Sequence, residues 1–122
     1  DLYTGVGHLV KYGAATTYIR RGTWMECIKS TSLPVGVIED AGCECSSKKY
    51  YAGDLIVMVS DGVLDSILFE NKDDYMNTLL SELEDEAPES VADTMVREIR
   101  SVCGRRLKDD ATIVVCKVVK NL

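Results

Sequence analysis

Gly53-Asp54-Leu55-Ile56-Val57-Met58-Val59-Ser60-Asp61-Gly62 is the segment around which the rest of this 122-residue sequence is organised. Its centre, Leu55–Val59, is an uninterrupted apolar run with turn-forming residues on both sides. A run this short and this apolar predicts a strand that is covered on both faces. Asp61 follows it almost directly, so we expect a carboxylate that is held rigidly at the end of a strand and still reaches solvent.

The sequence before this segment predicts strands, and the sequence after it predicts helices. Four β-forming stretches precede it, at residues 8–12, 16–19, 24–29 and 43–51. Gly22-Thr23 predicts a hairpin turn. Arg20-Arg21 would be exposed hairpin charges or would meet a phosphate. After it, apolar residues recur at helical spacing at Met76, Leu79, Leu80 and Leu83. A second helix is predicted from Pro88 to about Gly104, and residues 112–119 predict a final strand beside Leu55–Val59.

This order of elements predicts the fold class. Grouped strands followed by grouped helices favour an α+β fold with a mainly antiparallel sheet and both helices on one face. The length of 122 residues predicts a single domain, residues 1–122. Because the chain begins at Asp1, we expect it to be a piece of a longer protein.

The charge balance excludes one class of partner. Fourteen basic and 20 acidic residues leave a net charge of −6, which disfavours a nucleic-acid backbone as a ligand. Between Glu70 and Asp93 there are nine acidic residues and one basic residue. This acidic region is either a docking surface or simply a solvated helix face.

Two acidic clusters adjoin the apolar strands. Asp61 ends the first strand segment, and Asp109-Asp110 precede the last strand. If those strands are neighbours, Asp61 and Asp109 converge on one point, where oxygen ligands suit a hard divalent cation such as Mg²⁺ or Mn²⁺. Gly62 would allow a sharp turn or a close approach to a ligand. Two carboxylates are too few to hold a pair of metal ions.

Four sequence blocks occur together and in order. They are Leu33-Pro34-Val35-Gly36-Val37, the segment from Gly53 to Gly62, the two-helix segment, and Asp109-Asp110-Ala111-Thr112-Ile113-Val114-Val115. Together they resemble the C-terminal half of bacterial metal-dependent serine/threonine phosphatases of the protein phosphatase 2C class. Within that class the likeness is greatest to the phosphatase domain of the stage II sporulation protein E family.

The resemblance implies a fold, a reaction and a set of ligands. The implied fold is part of an α-β-β-α sandwich, and the implied reaction is hydrolysis of phosphoserine or phosphothreonine in a protein, assisted by two Mn²⁺ or Mg²⁺ ions. By resemblance, Asp61 and Asp109 are metal ligands, while Gly62 and Asp110 have supporting roles around them. The role of Asp65 stays open, and no side chain is assigned as a catalytic group.

The N-terminal Asp-Gly block of that class is absent from these residues. We therefore expect the remaining metal ligands to lie upstream, and the chain alone to be inactive. A half sandwich leaves strand edges and apolar faces uncovered, so we also expect self-association.

The resemblance also implies a partner and a location. The substrate would be a small phosphorylated anti-anti-sigma factor, and the domain would lie in the cytoplasm, attached to a parent that carries membrane spans. Arg105-Arg106-Lys108 would steer a phosphoprotein towards the site or would simply be solvated. Two alternatives remain open: a non-catalytic regulatory module on the same fold, and an oligomerisation element that acts through the sheet surface.

Overall fold

The structure is a computed structural model that describes residues 1–39, 42–104 and 110–120. Within these ranges the chain forms six strands and three helices. The elements are β1 (Val6–Lys11), β2 (Thr17–Arg21), β3 (Trp24–Ile28), β4 (Glu44–Lys49), β5 (Leu55–Val59), α1 (Asp61–Ser66), α2 (Lys72–Glu82), α3 (Pro88–Val102) and β6 (Ile113–Lys117). No helix in the described part has the length and apolar character needed to cross a bilayer.

Two antiparallel sheets carry the fold. One has four strands in the order β3-β2-β5-β6, and the other pairs β1 with β4. The apolar run that forms β5 therefore lies between two neighbours, with β6 beside it as predicted. β2 and β3 form the predicted hairpin, and Gly22 in its turn has a φ of +58°, which a residue without a Cβ adopts at little cost.

The two long helices pack on the four-stranded sheet and close the core. The predicted start of α2 is confirmed, because the Asn71 side chain accepts a hydrogen bond from the Asp74 backbone N–H. Pro88 occupies the first turn of α3. The helix residues that are fully or almost fully buried against the sheet are Met76, Leu80, Val91, Met95 and Ile99. The antiparallel sheets and the helical layer confirm the α+β fold class.

One element of this region was not predicted, and one sequence-based expectation about it was wrong. Helix α1 was not predicted, because its six residues are too few to show an apolar period. β5 is not covered on both faces, since Met58 remains 41% exposed. The second sheet has only two strands in the described part of the chain, which limits the apolar area that it can cover.

Arg20 is buried, contrary to the expectation of an exposed hairpin charge. Its guanidinium donates to the backbone carbonyls of Leu80 at 3.0 Å, Leu83 at 2.9 Å and Asp85 at 2.7 Å. The last carbonyls of a helix have no partner within the helix, and α2 has no basic residue in its own last turn. Arg20 therefore stabilises the C-terminal end of α2 from the sheet beneath it.

Its neighbour Arg21 is fixed by a buried carboxylate. Asp54 is 1% exposed and accepts from Arg21 Nε at 2.8 Å and Nη2 at 2.6 Å, and it also accepts from the Tyr51 backbone N–H at 2.8 Å. Such a bidentate pair is among the stronger hydrogen-bonded contacts in proteins. It fastens the start of β5 to the end of β2. The hydrogen bonds that Arg21 donates are also the main reason why the pKa of Asp54 is below its ordinary value.

Replacing Asp54 should make stability less sensitive to acid. Because the pKa of Asp54 is lower in the folded state, its ionised form stabilises the fold above the unfolded pKa of about 4. That contribution disappears as the pH falls through the folded pKa. In urea unfolding from about pH 7 to about pH 2, the difference in unfolding free energy between wild type and Asp54→Asn should shrink towards low pH.

The exposed Asp93 on α3 provides the matched control. Asp93→Asn should leave the unfolding free energy close to that of the wild type at every pH. A constant difference between wild type and Asp54→Asn down to the lowest pH would contradict this account of the Arg21–Asp54 pair.

Candidate functional site

The pairing of β5 with β6 places the two acidic segments at one end of the four-stranded sheet. In this antiparallel pair Val59 lies opposite Ile113, and Leu55 lies opposite Lys117. The C-terminal end of β5 therefore meets the N-terminal end of β6. Asp61 lies just beyond the first, and Asp110 lies just before the second. The sequence prediction that these strands are neighbours is confirmed.

Ser60 fastens the two segments together beyond the end of the sheet. Its backbone N–H donates to the Thr112 carbonyl at 3.0 Å, and its Oγ accepts from the Thr112 N–H at 2.9 Å. The same hydroxyl lies 3.4 Å from the Asp110 carbonyl, to which it donates a long hydrogen bond. The residues before β6 are therefore tied to the residue that precedes Asp61.

Asp61 is the first residue of α1 and is exposed. Its carboxylate accepts no hydrogen bond from any residue in the ranges that the structure describes. A negative charge at this position is favourable, because the backbone N–H groups at the start of a helix carry a partial positive charge. Gly62 is buried in the first turn with a helical backbone, so it does not make the sharp turn that the sequence suggested.

Only some of the residues that the sequence predicted for the metal site lie within the described ranges. Asp61 and Asp110 lie at the same end of the sheet, whereas Asp109 lies outside the described residues, as do Arg105, Arg106 and Lys108. The proximity of Asp61 and Asp109 therefore stays a prediction. Asp65, whose role was open, lies on α1 with its carboxylate 3.4 Å from the Lys72 ammonium.

A polar cluster that the sequence did not predict lies at the same end of the sheet. Asp73 accepts from the Tyr18 hydroxyl at 2.7 Å and pairs with the Lys29 ammonium at 2.7 Å. Burial and the bond to Asp73 raise the pKa of Tyr18. Partial burial opposes ionisation of Asp73, but bonds from Lys29 and Tyr18 outweigh it and lower the pKa of Asp73. The cluster anchors the start of α2 and neutralises Lys29.

Two clefts flank α1 and could receive a segment of a larger ligand. On one side, a polar cleft of about 430 Å³ is bordered by Thr16, Leu64 and the start of α2. On the other side, a cleft of about 230 Å³ between α1, α3 and β6 is bordered by Val63, Val96 and Ile113. Asp61 lies on the element that separates them. The arrangement presents an exposed carboxylate on a fixed backbone between two surfaces of different polarity.

Comparison with known families and proteins gives one consistent result. The family model for stage II sporulation protein E matches residues 1–119. Stage II sporulation protein E of Bacillus subtilis (strain 168) is 30% identical over 122 residues, which cover 99% of this chain and 15% of that protein. The chain therefore spans a small part of the length of this curated relative.

Solved structures show the same similarity. The phosphatase domain of the cell fate determinant SpoIIE from Bacillus subtilis, presoaked with Mn, superposes with a TM-score of 0.87 at 27% identity. The match covers 100% of this chain and 55% of that one. A structure of the PP2C phosphatase domain of SpoIIE with a fragment of its regulatory domain superposes with a TM-score of 0.89 at 28% identity, over 97% of this chain and 36% of that one.

Removing the Ser60 hydroxyl should loosen the segment before β6. Ser60→Ala deprives the Thr112 N–H of its acceptor, and losing one such bond costs about 1 kcal/mol. Amide hydrogen exchange of Thr112 should therefore accelerate, while the centre of β6 keeps its protection. Ser81→Ala, at an α2 position where the hydroxyl bonds only to the carbonyl one turn back, is the control. Unchanged exchange at Thr112 would show that Ser60 does not hold this segment.

Proposed function

Because this chain belongs to the stage II sporulation protein E family, we propose that it forms part of a metal-dependent domain that hydrolyses phosphoserine or phosphothreonine in a protein substrate. The family match over residues 1–119 supports this assignment. The solved phosphatase domain that the chain resembles is nearly twice as long as the chain, which covers 55% of it. The activity proposed is therefore that of the complete domain, to which this chain contributes.

One observation carries the proposal. The pairing of β5 with β6, extended by the bonds between Ser60 and Thr112, holds Asp61 and the Asp110 segment at the same end of one sheet. These are the segments that the sequence resemblance assigns to metal binding. A carboxylate with a purely structural role would be expected to accept hydrogen bonds within the fold, and Asp61 accepts none from the described residues.

The residues present fit part of a site for a hard divalent cation. Asp61 offers an exposed carboxylate oxygen donor, the ligand type that Mg²⁺ and Mn²⁺ prefer. Within residues 1–39, 42–104 and 110–120, no three His, Cys, Asp or Glu side chains are grouped closely enough to hold a metal ion. We propose that Asp61 and Asp109 are ligands, that Gly62 and Asp110 support them, and that the remaining ligands come from outside this chain.

The residues of this chain hold the proposed ligands in place and determine the charge around them. A bound divalent cation would supply Lewis-acid activation of a water molecule and neutralise charge on the phosphoryl group. The fixed start of α1 holds the Asp61 carboxylate, and the bonds to Ser60 hold the segment before β6. Lys29 pairs with Asp73 and Lys72 pairs with Asp65, so neither ammonium is paired with Asp61.

The finer assignments rest on the family resemblance. We propose that the metal is Mn²⁺ or Mg²⁺ in a two-metal site, and that the substrate is a small phosphorylated anti-anti-sigma factor. We also propose a cytoplasmic location, attached to a parent protein that carries membrane spans. Dephosphorylation of such a factor by the parent protein, followed by phosphate-affinity electrophoresis, would test the substrate, and unchanged mobility would refute it.

Paramagnetic Mn²⁺ should locate the ligands directly. At substoichiometric Mn²⁺, amide NMR signals of residues 60–62 and 110–112 should broaden before all others, because relaxation enhancement falls steeply with distance from the ion. Asp61→Asn removes one anionic ligand and should abolish this selective broadening. Excess Mg²⁺ should reverse it in the wild type, since both ions take the same oxygen ligands.

The exposed Glu89 on α3 supplies the control for charge alone. Glu89→Gln makes the same change in net charge and should leave the broadening around Asp61 intact. Two results would refute the proposed ligand: identical broadening in Asp61→Asn, or broadening that is centred on the acidic residues 84–86.

We expect the 122-residue chain, purified by itself, to be inactive and self-associated. It covers 55% of the solved phosphatase domain, and we propose that the remaining ligands and strands lie in the part that it does not cover. Met58 and Val114 lie opposite each other on β5 and β6 and remain 41% and 43% exposed, which favours apolar contact between molecules. Phosphoserine-peptide hydrolysis with Mn²⁺ and sedimentation velocity on one sample test both points. Turnover that survives repeated purification, or a monomer at high concentration, would contradict them.

A further inference from the structure

A surface of aromatic and cationic side chains lies at the end of the four-stranded sheet opposite Asp61. Thr17 pairs with Met58 near the site, whereas Arg20 pairs with Leu55 at the other end. Beyond Arg20, four side chains come together, and we call them the aromatic–cationic surface: Arg21, Trp24, Lys49 and Tyr51. They come from the β2–β3 hairpin, the end of β4 and the turn before β5. The proposed hydrolysis uses none of them.

Stacking between cations and rings organises this surface. The Arg21 guanidinium carbon lies 4.4 Å from the ring centroid of Tyr51 and 5.6 Å from that of Trp24. The Lys49 ammonium lies 5.7 Å from the Tyr51 centroid. The rings are nevertheless half open to solvent, since Trp24 is 51% exposed and Tyr51 is 50% exposed. Large apolar area is therefore left at the surface beside two positive charges.

Arg21 is held in place and still has hydrogen-bonding capacity. Its Nε and Nη2 donate to Asp54, and Nη2 makes a further, longer bond of 3.4 Å to the Lys49 carbonyl. Nη1 donates to no acceptor among the described residues, and the side chain is 42% exposed. Because Asp54 already fixes the guanidinium, a ligand that bonds to Nη1 loses little side-chain entropy on binding.

We propose that the aromatic–cationic surface docks an acidic segment of a partner protein. A carboxylate of the segment would accept from Arg21 Nη1 and approach Lys49, while an apolar side chain beside it would cover the rings of Trp24 and Tyr51. Trp, Tyr and Arg are the residues that most often dominate the binding energy of protein interfaces. Asp54 balances the charge of Arg21, whereas Lys49 has no carboxylate partner among the described residues. The surface therefore carries one excess positive charge in a chain whose net charge is −6, and charge complementarity favours an acidic partner.

A lipid surface fits these observations less well. Binding to anionic lipid normally requires a cluster of several basic residues. At this end of the sheet the acidic residues 84–86 are exposed, and the backbone of Asp85 is bonded to Arg20. Their negative charge would oppose contact with a broad anionic membrane surface.

Trp24 is the only tryptophan of the chain, so its fluorescence reports on this surface directly. The probe is a capped pentapeptide with a central leucine between two pairs of carboxylates, and a peptide with lysines in place of the acids is the control. We expect a saturable change in Trp24 emission with the acidic peptide at concentrations up to about 5 mM. The binding should weaken as salt is added, because exposed charges are screened.

Two charge reversals separate a local effect from a general one. Lys49→Glu and Arg97→Glu each change the net charge by the same amount, and Arg97 is an exposed residue of α3 on another part of the molecule. Lys49→Glu should raise the Kd of the acidic peptide roughly fivefold, while Arg97→Glu should leave that Kd nearly unchanged. Lys49→Ala should also weaken peptide binding, but by less than Lys49→Glu. Because this variant introduces no new charge, its weaker binding would show that the effect of Lys49→Glu is not caused by misfolding.

Three outcomes would overturn the proposal. The first is no saturable change in Trp24 emission with the acidic peptide. The second is equal weakening by Lys49→Glu and Arg97→Glu, which would indicate non-specific attraction. The third is a blue shift of Trp24 with phosphatidylserine vesicles in the absence of any peptide binding, which would assign the surface to a membrane. None of these outcomes depends on phosphatase activity, so the docking surface and the proposed function can fail separately.

Discussion

The antiparallel pairing of β5 with β6 is the constraint on which the candidate site depends. β5 ends at Val59 and β6 begins at Ile113, more than fifty positions later, and their register brings the two ends side by side. Ser60 continues the contact beyond the sheet with both its backbone and its hydroxyl. As a result, an exposed carboxylate at the start of α1 shares one end of the sheet with the acidic segment before β6. A shift of one residue in this register would turn every side chain of β6 to the opposite face.

A second constraint comes from two adjacent arginines at the end of β2. Successive strand residues point to opposite faces of a sheet. Arg20 therefore points to the helices and binds the last carbonyls of α2, while Arg21 points away from them and binds the buried Asp54. One dipeptide thus connects the helical layer, the central sheet and the turn that leads into β5. The bond to Asp54 also explains why Arg21 is rigid enough to serve as part of a binding surface.

Membership of the stage II sporulation protein E family gives these features a common interpretation. The chain matches about half of a solved phosphatase domain. The second sheet has two strands within the described residues, and Met58 and Val114 are exposed where more cover is expected. These exposed apolar side chains accord with a chain that covers 55% of that domain. The aromatic–cationic surface lies at the other end of the sheet, where Asp54 fixes the guanidinium of Arg21.

The local sequence pattern was enough to predict most of the helices and strands, because a long or strongly apolar segment shows a recognisable spacing of apolar residues. The run Leu55–Val59, the spacing of apolar residues in α2, and Pro88 at the start of α3 all placed their elements correctly, and the motif blocks around Asp61 indicated the family. Tertiary structure alone decided what depends on distant partners. It buried Arg20 against the end of α2, left Met58 exposed, and joined Tyr18, Lys29 and Asp73 in one cluster. Each of these outcomes depends on contacts between residues far apart in the chain, and no local period or propensity encodes such contacts.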